Sequence, residues 1–387
     1  MVTPPFDTAL LDRLLDDAGI DLLLATSKHN VQYLLGGYRS LFFDVMDASG
    51  LSRYLPVLVY PKGKPEKAAF FTHRLDAHQL EVKPSWTPTT DSKASGSVDA
   101  MRNALAYLDR AGLPTRHIGV ETAFLPADAM MTLQAALPGS QVKNALFALE
   151  RLRARKTPQE LAMLRKASEL VVDSMAAVIG AHGAGASKQD LSDALRREEV
   201  NRGLAFEYCL ITMGISLNRA PSEQRWTEGD IVSLDSGGNH HGYIGDLCRM
   251  AILGEPDAEL QDLLAEIEAI QRAAMASIRP GVPGVAIYEA AEPLVRASAN
   301  REHMQFVAHG MGLISHEAPR LTRSGPVPYD AYDAERPLEA GMVISVETTL
   351  LHPRRGFIKL EDTVAATETG FEIFGEGGRG WNRGGVS

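Results

Sequence analysis

Five residues in the second half of the chain have side chains suited to holding metal ions. They are four carboxylates and one imidazole: Asp235, Asp246, His309, Glu347 and Glu361. Four carboxylates brought together without a cation would repel one another, and several would have to be protonated. A pair of divalent cations removes this repulsion and suits the hydrolysis of an amide or an ester. The sequence therefore predicts a two-metal hydrolytic site.

The first pair of carboxylates lies on two strand-like segments that flank a turn around NHHG. A turn centred between His240 and His241 would place Asp235 directly opposite Asp246 in an antiparallel hairpin. Directly opposite side chains share a face of the sheet, with Cβ atoms about 4.5–5.5 Å apart. We therefore expect these two carboxylates to hold one or two cations between them.

The second pair lies on MVISVETTLL and FIKLEDTVAA, which flank HPRRG. A turn centred on Arg354 would place Glu347 directly opposite Glu361. His309 lies between the two predicted hairpins and would complete the set.

The alternative interpretation is that each acid caps a turn or ends a strand. Acidic residues are disfavoured on strands, and like charges directly opposite each other destabilise a sheet. Two facing acid pairs on apolar strands therefore favour metal binding over capping. Oxygen-rich ligation with one imidazole suits Mn²⁺ best, with Co²⁺, Fe²⁺ and Zn²⁺ as alternatives. The sequence has no EF-hand pattern that would indicate Ca²⁺.

The elements that must position these residues form two groups. Over residues 1–150, helix and strand signals alternate: apolar spacing over 6–19 predicts a helix, and the apolar run 20–27 predicts a buried strand. This alternation predicts a smaller α/β domain.

Residues 151–387 differ in character. Thr157 and Pro158 predict the N-cap and the first position of a long amphipathic helix. Beyond this helix, helices and strands follow one another in separate runs. We therefore predict an α+β fold for this second domain.

Composition limits the class of protein. A length of 387 residues predicts about two domains, and the net charge of −10 without a basic cluster argues against nucleic acid as a partner. No run of about 20 apolar residues indicates a membrane span, and no secretory signal begins the chain. Only two cysteines occur, which fits a reducing compartment. These features predict a cytoplasmic protein without a membrane partner.

The segments LDSGG, GDLCR, HGMGLISHE, GMVISVE and KLEDT together resemble the M24 metallopeptidase family, which includes aminopeptidase P, prolidase, methionine aminopeptidase and creatinase. The resemblance implies a pita-bread catalytic domain over 151–387, preceded by a creatinase-type N-terminal domain over 1–150. It also implies two bound metal ions and a homodimer.

The resemblance also implies roles for individual residues. The five acidic and histidine positions match the family's ligands, with Asp246 and Glu361 shared by both ions. Glu347 matches the general base. His316 matches the histidine that faces the substrate carbonyl. We therefore expect Glu347 and His316 to be the catalytic residues.

Several positions bear on the substrate. Asn218 replaces a histidine of the family, and Lys359 stands in KLED where the family has RIED. Arg320 follows His316 closely and could meet a substrate carboxylate. Tyr38 and Arg39 lie in a segment that resembles one reaching toward a neighbouring subunit's active site in the family. The candidate substrate-binding residues are therefore Asn218, Lys359, Arg320, Tyr38 and Arg39.

Three functions remain open from the sequence. The first is cleavage of short peptides with proline in the second position, as by an Xaa-Pro dipeptidase or aminopeptidase P. The second is a non-peptide reaction on a small zwitterion, resembling ectoine hydrolase, creatinase or a dimethylsulfoniopropionate lyase; the changes at Asn218 and Lys359 favour it. The third is an inactive binding module, against which the intact ligand set and the acidic charge argue.

Overall fold

The structure is a computed structural model, and it describes residues 3–45, 54–323 and 330–385. The chain forms two compact units, Met1–Arg153 and Ala154–Ser387. Within the described residues, none of the helices combines the length and apolar character that crossing a membrane requires.

The first unit is built on a six-stranded mixed sheet with the order β4-β3-β2-β1-β5-β6. Its strands are β1 (Leu22–Ala25), β2 (Val57–Pro61), β3 (Ala69–His73), β4 (Thr89–Ala94), β5 (His117–Val120) and β6 (Gln141–Asn144). Its helices are α1 (Thr8–Asp17), α2 (Lys28–Leu34), α3 (Leu41–Val45), α4 (Ala77–Val82), α5 (Ser97–Ala111), α6 (Ala127–Ala136) and α7 (Leu146–Ala154).

Strand β1 shows why helices cover both faces of this sheet. Leu22 and Leu24 point into one apolar cluster, shared with α5 and α6. Leu23 and Ala25 point into another, shared with α1, α2 and α7. A short strand buried on both faces reads as a continuous apolar run. The predicted α/β domain is confirmed.

The second unit contains a nine-stranded sheet whose main path is β11-β10-β12-β13-β9-β8-β7, with β14 paired to β13 and β15 to β9. The strands are β7 (Ala205–Met213), β8 (Ile231–His240), β9 (Tyr243–Ile252), β10 (Met304–Met311), β11 (Ser315–Glu317), β12 (Val343–His352), β13 (Gly356–Ala366), β14 (Phe371–Phe374) and β15 (Asn382–Arg383). The helices are α8 (Pro158–Ala181), α9 (Lys188–Asn201), α10 (Ala258–Ala276) and α11 (Ala286–Ala297).

Helix α8 begins where the sequence predicts. The Thr157 hydroxyl accepts a hydrogen bond from the Glu160 backbone N–H, and the Glu160 carboxylate accepts one from the Thr157 N–H, which completes a capping box. The helix then packs closely on β9: a Cβ added to Gly245 would lie 2.7 Å from the Ser168 backbone nitrogen. Only glycine permits this approach between helix and sheet.

The helices of the second unit form two layers on the sheet. Apolar residues of α8 and α9 form one core with β7, β8 and β9. Those of α10 and α11 form the other, chiefly with β10, β12 and β13. Along the chain, α8 and α9 precede β7–β9, and α10 and α11 precede β10–β15, so helices and strands are segregated. The predicted α+β fold is confirmed.

Candidate metal centre and active site

The hairpin of β12 and β13 presents two carboxylates side by side. Glu347 pairs directly with Glu361, and the loop is centred on Arg354. The predicted register of this hairpin is confirmed.

The hairpin of β8 and β9 does not have the predicted register. Asp235 pairs with Cys248, and Asp246 pairs with Gly237. The turn residues are His241 and Gly242, with φ angles of 54° and 99°. A two-residue hairpin turn with positive φ at both central positions favours glycine at the second, so the turn lies one residue further along than expected. Asp235 and Asp246 are therefore diagonal neighbours on one face rather than directly opposite.

The corrected register places the acids in two adjacent rows across the sheet. Asp235, Cys248, Glu361 and Glu347 form the first row, since each pairs directly with the next. Asp246 lies two residues from Cys248 on β9. Residues that pair directly or lie two apart on a strand share a face. All four carboxylates therefore point to the same side of the sheet.

His309 reaches this face from β10, where it pairs with Ser345, two residues before Glu347. Ligand atoms of His309, Asp246 and Glu361 all lie within 4.8 Å of one another, and all three residues are buried. The Ser345 hydroxyl donates to Glu361 Oε1 at 2.7 Å. A buried carboxylate–imidazole set that converges in this way has the donor chemistry of a divalent transition-metal site.

Lys359 lies at the other end of the carboxylate cluster. Its Nζ is 2.7 Å from Asp235 Oδ2, 2.5 Å from Glu347 Oε2 and 2.7 Å from Glu361 Oε2. The side chain is 6% exposed. The structure thus brings this candidate substrate residue onto three of the five predicted metal ligands.

The electrostatics of the cluster reflect burial and crowding. Burial raises the pKa of Asp246 to about 8, and the charges of Glu361 and Asp235 act in the same direction. Burial also raises the pKa values of Asp235 and Glu347, against the opposing charge of Lys359. For Glu361 the nearby ammonium overcomes burial and holds the pKa well below its usual range. The Lys359 ammonium and the Arg219 guanidinium leave these four acids incompletely neutralised, so the cluster suits divalent cations.

His316 stacks on His309, with ring centroids 3.7 Å apart and an interplanar angle of 14°. Its φ of 63° lies in the left-handed region, which residues other than glycine rarely adopt. Such conformations persist where the surrounding structure enforces them, often in active sites. Burial and the His309 charge lower the pKa of His316 to about 3. The imidazole is therefore neutral at physiological pH.

Tyr208 and Arg219 belong to the site, although neither lies in a recognisable sequence motif. The Tyr208 hydroxyl donates a hydrogen bond to Asp246, and burial raises its pKa well above the usual value. A Cβ added to Gly237 would lie 2.4 Å from the Tyr208 ring, so the glycine makes room for it. The Arg219 guanidinium donates to Asp235 Oδ2. Neither a tyrosine on a strand nor an arginine in a loop forms a motif by itself. Their contacts with the ligands therefore become visible only in the folded structure.

Asn218 and Arg320 differ in their relation to the cluster. The Asn218 amide oxygen accepts a hydrogen bond from the Ala220 N–H at 3.1 Å, so the side chain caps its own loop rather than contacting the ligands. Arg320 lies close enough to His316 for its charge to lower the pKa of that imidazole. The backbone N–H of Arg320 is fixed by the Asp333 carboxylate at 2.8 Å. Arg320 is thus the better placed of the two to meet a substrate.

Tyr38 and Arg39 lie in the first unit. Tyr38 is 2% exposed and packs against Phe70 with ring centroids 5.8 Å apart. The Arg39 guanidinium pairs with Asp44 and donates to Gln32 Oε1 at 2.9 Å. Both residues are thus engaged in contacts within their own unit, and a role in substrate binding stays a prediction.

The glycine that follows His309 supports a prediction about stability. A Cβ added to Gly310 would lie 2.3 Å from the Glu317 carbonyl oxygen, and backbone atoms cannot move aside as a side chain can. We expect Gly310→Ala to lower the free energy of unfolding by ~3 kcal/mol or more, measured by urea denaturation. Gly370→Ala is the control, because a Cβ there meets nothing within 4 Å. Equal stability of Gly310→Ala and wild type would contradict this account of the backbone approach.

The fold and the cluster define a metal-dependent hydrolase, and comparison with known families agrees. Residues 162–368 match the model of metallopeptidase family M24, and residues 8–155 match the creatinase/prolidase N-terminal domain. The chain belongs to metallopeptidase family M24 and is a peptidase.

A curated relative supports this assignment, and a solved structure supports the fold, over nearly the whole chain. The chain is 30% identical over 365 residues to a probable dipeptidase PepE of Mycobacterium tuberculosis. The alignment covers 92% of this chain and 89% of the relative. It is 23% identical over 368 residues to an Xaa-Pro dipeptidase of Pyrococcus horikoshii, covering 92% and 93%. Its fold is similar to that of an Xaa-Pro dipeptidase from Bacillus anthracis, with a TM-score of 0.81, 20% identity and coverage of 97% and 98%.

Proposed function

We propose that this chain is an Xaa-Pro dipeptidase that uses two divalent metal ions, with Mn²⁺ as the preferred metal. The converging ligand atoms of Asp246, His309 and Glu361 carry the proposal. The dipeptidases among the relatives support the substrate class. They also favour a peptide over the small zwitterion that the changes at Asn218 and Lys359 suggested.

The residues that would hold the two ions are Asp235, Asp246, His309, Glu347 and Glu361. When bound, two divalent ions lower the pKa of a water molecule and polarise the scissile carbonyl. The hydroxyls of Ser315 and Ser345 hold two of these carboxylates in place, at 2.9 Å from Asp246 Oδ2 and 2.7 Å from Glu361 Oε1.

Two residues of the chain, Glu347 and His316, are proposed to be catalytic. Glu347 accepts a proton from the attacking water and passes it to the leaving amine. His316, neutral and fixed by stacking on His309, donates a hydrogen bond to the carbonyl oxygen as negative charge develops there. Arg320 is proposed to bind the free carboxylate of the dipeptide.

The wider assignments follow the same reasoning. We propose that residues 1–150 form a creatinase-type N-terminal domain and residues 151–387 the catalytic domain. The enzyme is proposed to work in the cytoplasm as a homodimer, with small peptides as its partners and neither nucleic acid nor membrane. The two free, buried cysteines, Cys209 and Cys248, fit a reducing compartment.

A substrate panel tests this proposal. Protein treated with a chelator is expected to lose activity and to regain it with Mn²⁺. We expect the reconstituted enzyme to cleave Xaa-Pro dipeptides faster than longer Xaa-Pro peptides, and to leave ectoine, creatine and dimethylsulfoniopropionate unchanged. Release of the free N-terminal amino acid gives the rate, because cleavage of the Xaa–Pro bond liberates it from the dipeptides and from the longer peptides alike. Turnover of a small zwitterion without cleavage of any Xaa-Pro peptide would overturn the proposed substrate class.

A further inference from the structure

A buried ion pair joins the segment before α8 to the strand that carries His316. Lys156 Nζ lies 2.9 Å from Glu317 Oε1, and the two side chains are 1% and 0% exposed. Glu317 directly follows His316 on β11, whereas Lys156 precedes the N-cap of α8. Because taking two charges out of water is costly, such a pair contributes little net stability. What distinguishes this pair is its place beside a catalytic residue.

His316 is the extra residue of a β-bulge between β10 and β11. Gly310 pairs with Glu317 and Met311 pairs with Ser315, so His316 has no residue directly opposite it. Its φ of 63° lies in the left-handed region, which glycine usually occupies in a bulge of this kind. Bulges re-aim side chains, often beside active sites. A left-handed histidine persists only where its surroundings enforce the conformation, so the bulge needs support from outside.

Strand β11 offers little support by itself, because it has three residues and lies at the end of the main path of the sheet, next to β10. The lysine end of the ion pair is anchored more firmly. The Lys156 backbone N–H donates to the Gly341 carbonyl oxygen at 2.8 Å. A Cβ added to Gly341 would lie 2.8 Å from the Lys156 carbonyl oxygen, so the two backbones are in close contact. The ammonium is therefore a fixed point to which Glu317 is held.

Gly312 makes room for the ion pair. A Cβ added to this glycine would lie 2.1 Å from Glu317 Oε1 and 3.0 Å from Lys156 Cε. The Gly312 carbonyl oxygen accepts a hydrogen bond from the Ile244 N–H at 3.0 Å, which ties this backbone to β9. The backbone that follows β10 therefore packs directly on the ion pair.

We propose that Lys156 is a positioning residue for His316 and acts through Glu317. The ammonium holds the Glu317 carboxylate, and the carboxylate holds β11 in the bulged conformation that aims the imidazole. Without the ammonium, the buried carboxylate would move toward water and draw the short strand with it. His316 would then relax out of the left-handed region. The inference rests on the proposed function for the role of His316 in turnover, whereas the support of its backbone is independent of that function.

A double-mutant cycle in kcat, with Mn²⁺ in excess, tests the proposal. Lys156→Met is expected to lower kcat on an Xaa-Pro dipeptide about 10²-fold, the usual cost of losing one donor to a developing oxyanion. KM is expected to change by less than about threefold, because the interaction is made in the transition state. On a His316→Ala background, Lys156→Met should lower kcat by less than about twofold more, since the residue it positions is absent. An equal loss on both backgrounds would indicate a general structural role and overturn the proposal.

Two further variants keep the test decisive. Arg155→Met is the control, because the neighbouring Arg155 side chain is 62% exposed and pairs with Glu339 at 3.4 Å. Its kcat is expected to stay within about twofold of wild type. Where Lys156→Met alone does not fold, Lys156→Met combined with Glu317→Gln removes both charges and is expected to fold. This combined variant should show the same loss in kcat, and wild-type kcat in it would overturn the proposal.

Amide hydrogen exchange gives a readout that needs no substrate. The Gly310 N–H donates to the Pro319 carbonyl oxygen and the Gly312 N–H to that of Ile314, both at 3.2 Å. In Lys156→Met we expect exchange over residues 304–319 to be about tenfold faster or more, with the hairpin over 343–366 unchanged. Unchanged exchange over 304–319 would overturn the proposal even where Xaa-Pro peptides are cleaved. Faster exchange in a protein that cleaves none of them would count against the substrate class and support the positioning of β11.

Discussion

Replacing Glu347 with glutamine is expected to lower kcat on an Xaa-Pro dipeptide by about 10³-fold or more, with little change in stability. The amide has the shape of the carboxylate but cannot accept a proton from the attacking water. It can still place an oxygen opposite Glu361, since the two residues pair directly across β12 and β13. The measurement is kcat and KM with Mn²⁺ in excess, together with the thermal midpoint.

The control for this variant is Glu372→Gln on β14. Glu372 is about half exposed and pairs with Arg165 at the surface. Its replacement is expected to leave kcat within about twofold of wild type. Wild-type kcat in a Glu347→Gln variant that still holds Mn²⁺ would refute the role of Glu347 as general base.

The two hairpins show what the sequence could predict of the site. The loop around Arg354 gave the correct pairing of Glu347 with Glu361 because the flanking strands are symmetric about it. Around NHHG the same reasoning was wrong by one residue. Gly242 carried the missing signal, because a two-residue turn favours glycine at its second central position. Turn chemistry therefore decided the register where symmetry alone did not.

The cationic contacts of Asp235 could not be predicted in the same way. In the sequence, Lys359 departs from the family pattern, and this departure alone suggests a change in substrate binding. The structure places its ammonium within 2.7 Å of three carboxylates instead. Arg219 reaches Asp235 from a loop whose path depends on tertiary packing. Motifs identify the ligands, whereas the contacts of Lys359 and Arg219 with those carboxylates depend on tertiary packing.

More of the fold than of the site could be predicted from the sequence. Capping signals at Thr157 and Pro158 fix the start of α8, and the alternation of helices and strands in the first 150 residues gave the α/β layers. These signals are local in sequence. The close packing of α8 on β9 at Gly245 is a long-range contact, and no local pattern specifies it.

Replacing Asp246 with asparagine is expected to weaken Mn²⁺ binding by more than about 10²-fold and to abolish detectable turnover. In metal-free protein the same change is expected to raise the thermal midpoint. Burial and the charges of Glu361 and Asp235 raise the pKa of Asp246 to about 8, so the charged form is disfavoured there. A neutral amide removes this cost and can still accept a hydrogen bond from Ser315. The measurement is the thermal midpoint with and without Mn²⁺.

Asp362 provides a control with the opposite sign. It is fully buried on β13 next to Glu361, but it pairs with Arg249 at 2.7 Å and with Arg379. Asp362→Asn leaves two buried guanidinium groups without their carboxylate, so the metal-free midpoint should fall. At a Mn²⁺ concentration 100 times the dissociation constant, the free energy of unfolding of wild type and of Asp362→Asn should rise by about 2.7 kcal/mol. At that same concentration, the free energy of unfolding of Asp246→Asn should hardly change. A Mn²⁺-dependent rise in the midpoint of Asp246→Asn equal to that of wild type would exclude Asp246 as a ligand. In metal-free protein, the charge of Asp246 is expected to lower the stability of the fold, because other acids surround it. The charge of Asp362 on the neighbouring strand is expected to raise that stability, because two guanidinium groups pair with it.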